Sequence, residues 1–380
     1  MRQILIRLRL DTLFACESVD GIPVVGIGWL VIPWTLITAW WLWTARRREE
    51  AATERRALLI NYALGLAVLV AVCLFTQGGK PGPVIPVFGY GFLVFIGCVL
   101  AGQTAGRRAR REGIPEQLIW DLAVWLFVAS LVGARLWYVV QYRERIFAGR
   151  TTLLEKFFAS VNISAGGLVL YGGVGLSLVA ITTFARRHRD QCNPLRLVDL
   201  VVPSFFLALA CGRLGCLMNG CCWGDACNLP WAITFPQDSV PFRTLVGRGF
   251  LDPDAATTFA MHPSQIYSTL NSLVLALVTA TAFRYSRRHG ETLAIALVAY
   301  PLTRLLLEVL RGDELGQFGT SLTISQCFSL LLLFVVSAVH FASLLIRPMV
   351  ATLPPRIPMS ETKRGVRRPS KMVPLRMIMS

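Results

Sequence analysis

LVDLVVPSFFLALACGRLGCLMNGCCWGDAC, from Leu197 to Cys227, changes character part-way along. Up to Met218 it is an apolar run of the length, about 20 residues, that carries a helix across a bilayer. Its far end gathers Arg213, Asn219 and the cysteines Cys211, Cys216, Cys221, Cys222 and Cys227. A charge inside an apolar run costs several kcal/mol and usually marks function. The stretch therefore predicts a membrane helix that ends in a polar site.

Runs of the same kind recur along the chain. Its 380 residues are 54% hydrophobic and only 16% charged, against about 25% charged in a soluble domain. Nine candidate spans are read, at 24–44, 57–75, 84–104, 118–140, 165–184, 197–218, 264–283, 291–308 and 321–346. The fold class expected is all-α, a polytopic helical membrane bundle. A barrel would instead show alternating segments of about ten residues. Arginine clusters follow spans one, three, five and seven, and the tail is basic, so the N-terminus is expected outside and the C-terminus in the cytosol. The net charge of +16 then reflects this asymmetry and the tail's attraction to acidic lipid; no nucleic acid is implied.

Three divisions are expected: an extension with two spans over 1–79, a seven-span core over 80–347 with an outward Cys-rich loop (219–263), and a disordered basic tail over 348–380. The opening MRQILIRLRLDTLFAC is interrupted by Arg7, Arg9 and Asp11, which argues against a cleaved signal peptide and for an interfacial helix lying on the outer face. One internal echo exists: Gly21–Val31 matches Val84–Val94 at seven of eleven positions. It reads either as a duplicated module or as shared Gly/Pro chemistry of membrane entry.

The polar residues inside spans share one depth. Arg135, Tyr171, Arg213 and Asn219 lie at outer span ends, as do His262, Ser264, Gln265 and Tyr267. Tyr300, Arg304, Glu308 and Arg311 fall on one helix face, where Glu308 can hold either arginine. Two arginines at headgroup depth suit a phosphate, which guanidinium grips through paired hydrogen bonds. Glycines 166, 167, 172, 173 and 175 let a neighbouring helix or a lipid chain come close.

The cysteines admit three readings. Zinc favours paired CxxC units or histidines in register, which the spacing lacks, so no metal is expected. An oxidising outer face favours one or two disulfides among Cys216, Cys221, Cys222 and Cys227, of open connectivity. A redox-active pair is the third reading.

Five segments together resemble one family. Gly212–Gly224 (GRLGCLMNGCCWG) resembles the GRxGNFxNGExxG signature of the prolipoprotein diacylglyceryl transferases. His262–Tyr267 (HPSQIY) resembles their HPSQLYE, and Tyr300–Arg311 their YGxxRxxxEFFR. Gly133–Leu136 resembles GGRxGY, and Gly166–Gly173 resembles GGxxxHGG. The motifs run in the family's order over about 84–346. The resemblance implies an enzyme of the bacterial inner membrane, without a cofactor, whose partners are phosphatidylglycerol, preprolipoprotein signal peptides and the bilayer. Arg213 and Arg304 would clamp the lipid phosphate. Asn219, Gly224, Tyr90, Arg135, Gln265 and Glu308 would complete the lipid site, and Tyr300 would shape the same pocket as one of the catalytic residues. The substrate cysteine would attack the glyceryl C3, form a thioether and release glycerol-1-phosphate. The sequence departs at Tyr171, where many members have histidine, and at Cys216, Cys221 and Cys222, where many have Asn-Phe…Glu. His262 and Tyr171 are the outward candidates for taking the thiol proton; substrate phosphate is a third. Other readings of the same residues are a lipid transporter, a thiol oxidoreductase using Cys211–Cys227, and an inactive relative.

Overall fold

Most of the expected apolar runs are helical, but those at 24–44 and 84–104 open as short strands, where Gly and Pro disfavour helix. The computed structural model describes residues 3–47, 52–76, 84–149, 151–162, 167–314, 316 and 319–351. In chain order come β1 (Ile4–Arg9), β2 (Cys16–Val19), β3 (Ile22–Gly26), α1 (Val31–Arg47), α2 (Ala52–Thr76) and β4 (Val84–Phe88). Next come α3 (Gly89–Arg111), α4 (Glu116–Gln141), α5 (Arg143–Phe147), α6 (Leu153–Val161), α7 (Leu170–Arg187) and α8 (Pro194–Asn219). The last are α9 (Val240–Gly247), α10 (Ser264–Tyr285), α11 (Glu291–Glu308) and α12 (Ile324–Ala351). Residues 1–333 form one unit; a second begins at Phe334, within α12.

Four of these helices, α3, α4, α8 and α10, are long and apolar enough to cross a membrane. Shorter apolar stretches lie at Ile27–Trp40, Leu59–Leu74 and Ile324–Val339. The expected fifth and eighth spans are the helices α7 and α11. Each has 18 residues and carries charge within that length: Arg186 and Arg187 in one, Glu291, Arg304 and Glu308 in the other.

The N-terminus is not a helix. From Ile6 to Arg9 apolar and basic residues alternate, the period of a strand, and the pairing with β4 shifts register between Ile4 and Ile6. It is a middle strand of a four-stranded sheet of order β2-β3-β1-β4. Asp20 and Gly21 both have positive φ, 54° and 69°, in a two-residue turn that pairs Val19 with Ile22. Asp-Gly is the residue pair such turns demand. Arg9 is neutralised by Glu17 at 3.2 Å and by Asp11 at 3.3 Å. Both copies of the internal echo enter the sheet, as β3 and β4. They flank β1, β3 parallel to it and β4 antiparallel. The sheet thus joins the expected 1–79 extension to the core.

Helix α8 is the centre of the unit and packs against α3, α10 and α11. One core joins Ala105 and Ala109 of α3 to Leu118 and Leu122 of α4, Phe184 of α7 and Leu197 and Leu200 of α8. A second joins Val202 and Phe206 of α8 to Leu275 of α10 and Ala296 of α11. Helices α4 and α7 meet through glycine: a Cβ on Gly133 or on Gly172 would strike the other's carbonyl oxygen. Gly173 packs against Ser130, whereas Gly175 faces open space. Gly166 lies outside the described residues, as does the expected tail beyond 351. The segment between α8 and α10 has its own core of Trp223, Phe235, Leu245 and Met261.

Asp199 on α8 is fully buried. It accepts from the Gly290 and Leu293 amides at 2.6 and 2.8 Å, capping the start of α11. Replacing it strands two donors, each worth about 1–3 kcal/mol when buried. Asp199→Ala is expected to lower the unfolding temperature of the solubilised protein well below that of Asp199→Asn, which keeps one acceptor.

Candidate active site

The site forms where α8 ends. Gly220, at φ 75°, caps the helix in the left-handed conformation that glycine adopts most readily. The Cys221 amide donates to the Cys216 carbonyl at 3.1 Å, so the chain folds back over the last turn. The start of α10 grips the reversed segment. Gln265 Nε2 donates to the Cys221 carbonyl at 2.9 Å, and Ser264 Oγ to that of Cys222 at 2.6 Å. Gly224 donates to the His262 carbonyl at 3.2 Å, and an added Cβ there would meet His262 and Leu310. The Gly312 amide reaches the Trp223 carbonyl at 3.3 Å. Three segments far apart in sequence are thereby stitched together by backbone.

A buried ion network stands beside this junction. Glu308 has no exposed side-chain surface. One oxygen accepts from Arg304 at 2.7 Å and from Arg311 at 3.2 Å; the other accepts from Thr323 Oγ1 at 2.9 Å. Arg311 also makes a two-pronged bond to Asp313 at 2.8 and 2.9 Å. Burial works to lower the Arg311 pKa, but the bond to Asp313 and its charge outweigh it and hold the group above its ordinary value. Arg304 Nη2 is anchored by Glu308 and by Ser325 Oγ at 3.0 Å. Its Nη1 is buried and has no hydrogen-bond partner among the described residues.

The sequence-selected residues fall into three groups. Arg213 acts electrostatically on Arg304 and on Tyr90, so the two expected clamp arginines share one neighbourhood. No hydrogen bond or ion pair occupies Arg213 among the described residues. Tyr90 lies against Gly215 and within electrostatic reach of the three thiols. Tyr171 stacks on Phe328 at 5.2 Å and feels the charges of Arg304, Glu308, Arg311 and Glu314. It also lines an apolar cavity of about 680 Å³ with Trp137, Leu168 and Ile324. Tyr300 packs on Phe206 at 5.9 Å, one helical turn from Arg304.

A second group is turned elsewhere. Arg135 donates to the carbonyls of Ser160 at 2.7 Å, Ala159 at 2.9 Å and Gly167 at 3.0 Å, with Tyr138 stacked below at 5.2 Å. The end of α6 leaves such carbonyls unpaired, and a cation satisfies them. Arg135 therefore binds the chain itself through these carbonyls and fixes the entry to α7. The His262 ring faces Tyr267 Oη at 3.5 Å; that oxygen accepts from Trp231 at 2.7 Å. Among the described residues His262 has no hydrogen bond to either clamp arginine.

The cysteines form the third group. Cys216, Cys221, Cys222 and Cys227 are all thiols, so the expected cross-links within Cys216–Cys227 are not made in this structure. The Sγ atoms of Cys216, Cys221 and Cys222 lie within 4.8 Å of one another, and Cys227 is not among them. Its segment runs along the loop instead, where its amide pairs with Ala260. Hydrogen bonds from Cys216, Cys222 and the Asn219 side chain, outweighing burial, hold the Cys221 thiol below the usual thiol range.

Residues 82–342 match the family model of prolipoprotein diacylglyceryl transferase. The chain belongs to this family. Among its relatives is the phosphatidylglycerol–prolipoprotein diacylglyceryl transferase of Rhodopirellula baltica, 28% identical, with 86% of this chain and 87% of that protein covered. The Synechococcus elongatus transferase is 32% identical over 69% of this chain and 87% of its own length. That of Clostridium tetani is 26% identical over 65% and 89%. All the motifs that carried the resemblance except Gly166 of GGxxxHGG are placed, and those of α8, α10 and α11 meet at one junction. What sequence spacing left out is the support given by Thr323 and Ser325, which arrive from the start of α12 and carry no signal of their own.

Breaking a buried ion pair costs about 3–5 kcal/mol because the surviving charge is left uncompensated. Glu308→Gln should therefore lower thermal stability more than Tyr300→Phe does, measured by unfolding of the solubilised protein. Arg135→Lys cannot serve three carbonyls in one plane. It is expected to increase limited proteolysis within 151–170.

Proposed function

We propose that this membrane protein transfers the diacylglyceryl group of phosphatidylglycerol to the cysteine thiol of a prolipoprotein. The family and its relatives' names support the reaction. The observation that carries the site assignment is the buried, unpartnered Nη1 of Arg304 beside the uncommitted guanidinium of Arg213. A buried donor without an acceptor is costly, and a phosphate oxygen is an acceptor that relieves it. Glu308 and Ser325 hold the opposite edge of Arg304, so the group is aimed before substrate arrives.

In the reaction the substrate sulfur forms a bond to the glyceryl C3. The C3–O bond breaks and its electron pair goes to the phosphate oxygen, giving glycerol-1-phosphate. Arg213 and Arg304 stabilise the negative charge that grows on this leaving group. The thiol proton leaves to His262 or to an oxygen of the substrate phosphate; Tyr171, a neutral phenol between the arginine network and the apolar cavity, is placed to hydrogen-bond the substrate. The cavity suits an acyl chain or the apolar part of a signal peptide. Gln265 Oε1 is also buried without a partner among the described residues, an acceptor that a headgroup hydroxyl would satisfy.

The arrangement in the bilayer belongs to the same proposal. The protein resides in the bacterial inner membrane. It crosses nine times, with the N-terminus and the Cys-rich loop outside and the C-terminus in the cytosol.

Removing one preorganised donor to a developing oxyanion lowers rate about 100–1000-fold. Arg213→Ala and Arg304→Ala are expected to show losses of that order, with Arg135→Lys milder. The assay is lipidation of a reporter prolipoprotein in cells depleted of their own transferase. Full activity in Arg304→Ala would end the phosphate-clamp assignment. Tyr171→Phe, which removes a hydroxyl that can hydrogen-bond the substrate, should also lower lipidation; an unchanged rate would take Tyr171 out of the site.

A further inference from the structure

The transfer chemistry uses none of the three thiols at the end of α8. Cys216 sits on the last helical turn, and Cys221 and Cys222 follow the Gly220 reversal. Successive side chains normally diverge. Here Cys222 adopts a left-handed backbone, φ 59°, a conformation that costs a residue other than glycine about 1–2 kcal/mol. All three Sγ atoms come within 4.8 Å of one another. Sulfurs bound to one ion at about 2.3 Å stand about 3.8–4.0 Å apart in tetrahedral or trigonal geometry, inside that bound. Each cysteine is partly buried. Gln265 and Ser264 pin the carbonyls of Cys221 and Cys222, so the cradle is held by the surrounding backbone.

A set of three sulfurs is soft. It selects Zn(II) or Cu(I) and rejects Mg(II) and Ca(II), which prefer oxygen. We propose that Cys216, Cys221 and Cys222 form a three-thiolate site for a soft closed-shell cation, Zn(II) or Cu(I). Each coordinating thiol releases its proton to solvent as the metal–sulfur bond forms. Zn(II) takes a water as fourth ligand, and Cu(I) is complete with three. The surplus thiolate charge is balanced locally: Arg311 acts electrostatically on Cys222, and Arg213 shares the surroundings of Tyr90 with all three thiols. Arg213 lies one helical turn before Cys216, so an ion here would staple the end of α8 and fix the direction of that guanidinium. The role is structural and does not depend on the transfer reaction.

The test uses the full chain, solubilised and kept reduced by a phosphine. It is equilibrated separately with Zn(II) and Cu(I), desalted, and assayed for metal per chain. A single ion should be retained, and the arm that retains it identifies the cation. Cys216→Ser, Cys221→Ser and Cys222→Ser should each lose it; Cys98→Ser and Cys227→Ser should keep it. Equal retention by the triple variant, or no retention by the native chain, would overturn the site. Should the variants fail to fold, X-ray absorption of the loaded native chain decides: three sulfur neighbours support the site, fewer reject it. A disulfide between any two of the three thiols in chain taken directly from membranes would also reject it. Lipidation is not the readout, so the result stands apart from the transferase assignment.

Discussion

Everything at the site leans on one buried carboxylate. Glu308 is shut away from solvent, and a lone charge there would be untenable. Two arginines and a threonine make it tolerable, and it in turn makes them tolerable. The arrangement is mutual, so it fixes geometry as much as it adds stability. Arg304 is held by one edge, and its other nitrogen is buried without an acceptor among the described residues. Arg311 is locked between α11 and the acidic pair that follows. Thr323 and Ser325 bring the start of α12 into the same knot.

The backbone assembly around Gly220, Gly224 and Gly312 gives that knot a counterpart. Bulk at the latter two would collide with neighbouring carbonyls or side chains. At this junction the chain closes by peptide hydrogen bonds, and these leave side chains free to face a ligand. The rigid part of the site is thus main chain, clipped by the Ser264 and Gln265 side chains, and its ligand-facing part is the guanidinium groups.

Much of this was legible in sequence because charge inside an apolar run has few explanations. Arg213 and Arg304 stood out that way, and the spacing from Arg304 to Glu308 to Arg311 gave their pairing on one face. Positions of the long helices followed from apolar length. Arg135 looked equivalent to the others, yet its acceptors are backbone carbonyls, which no residue type announces. The thiol cluster was hidden for a related reason: spacing rules assume ordinary backbone, whereas Cys222 is left-handed. The N-terminal segment was misread as an interfacial helix because Arg7, Arg9 and Asp11 stand among apolar residues. The alternation of Ile6 to Arg9 and the Asp20-Gly21 turn were the local signals, but the partner strand β4 lies far along the chain.

That sheet carries a topological consequence. Strand β3 leads into α1, and β4 follows α2, yet both strands hydrogen-bond to β1. A sheet has one address relative to a bilayer, so the chain must return to the face it left. Helices α1 and α2 consequently traverse the lipid as a pair or not at all. An even number of passes leaves the sidedness of every later segment unchanged, so a two-helix insertion could be accommodated ahead of the family core without inverting the site.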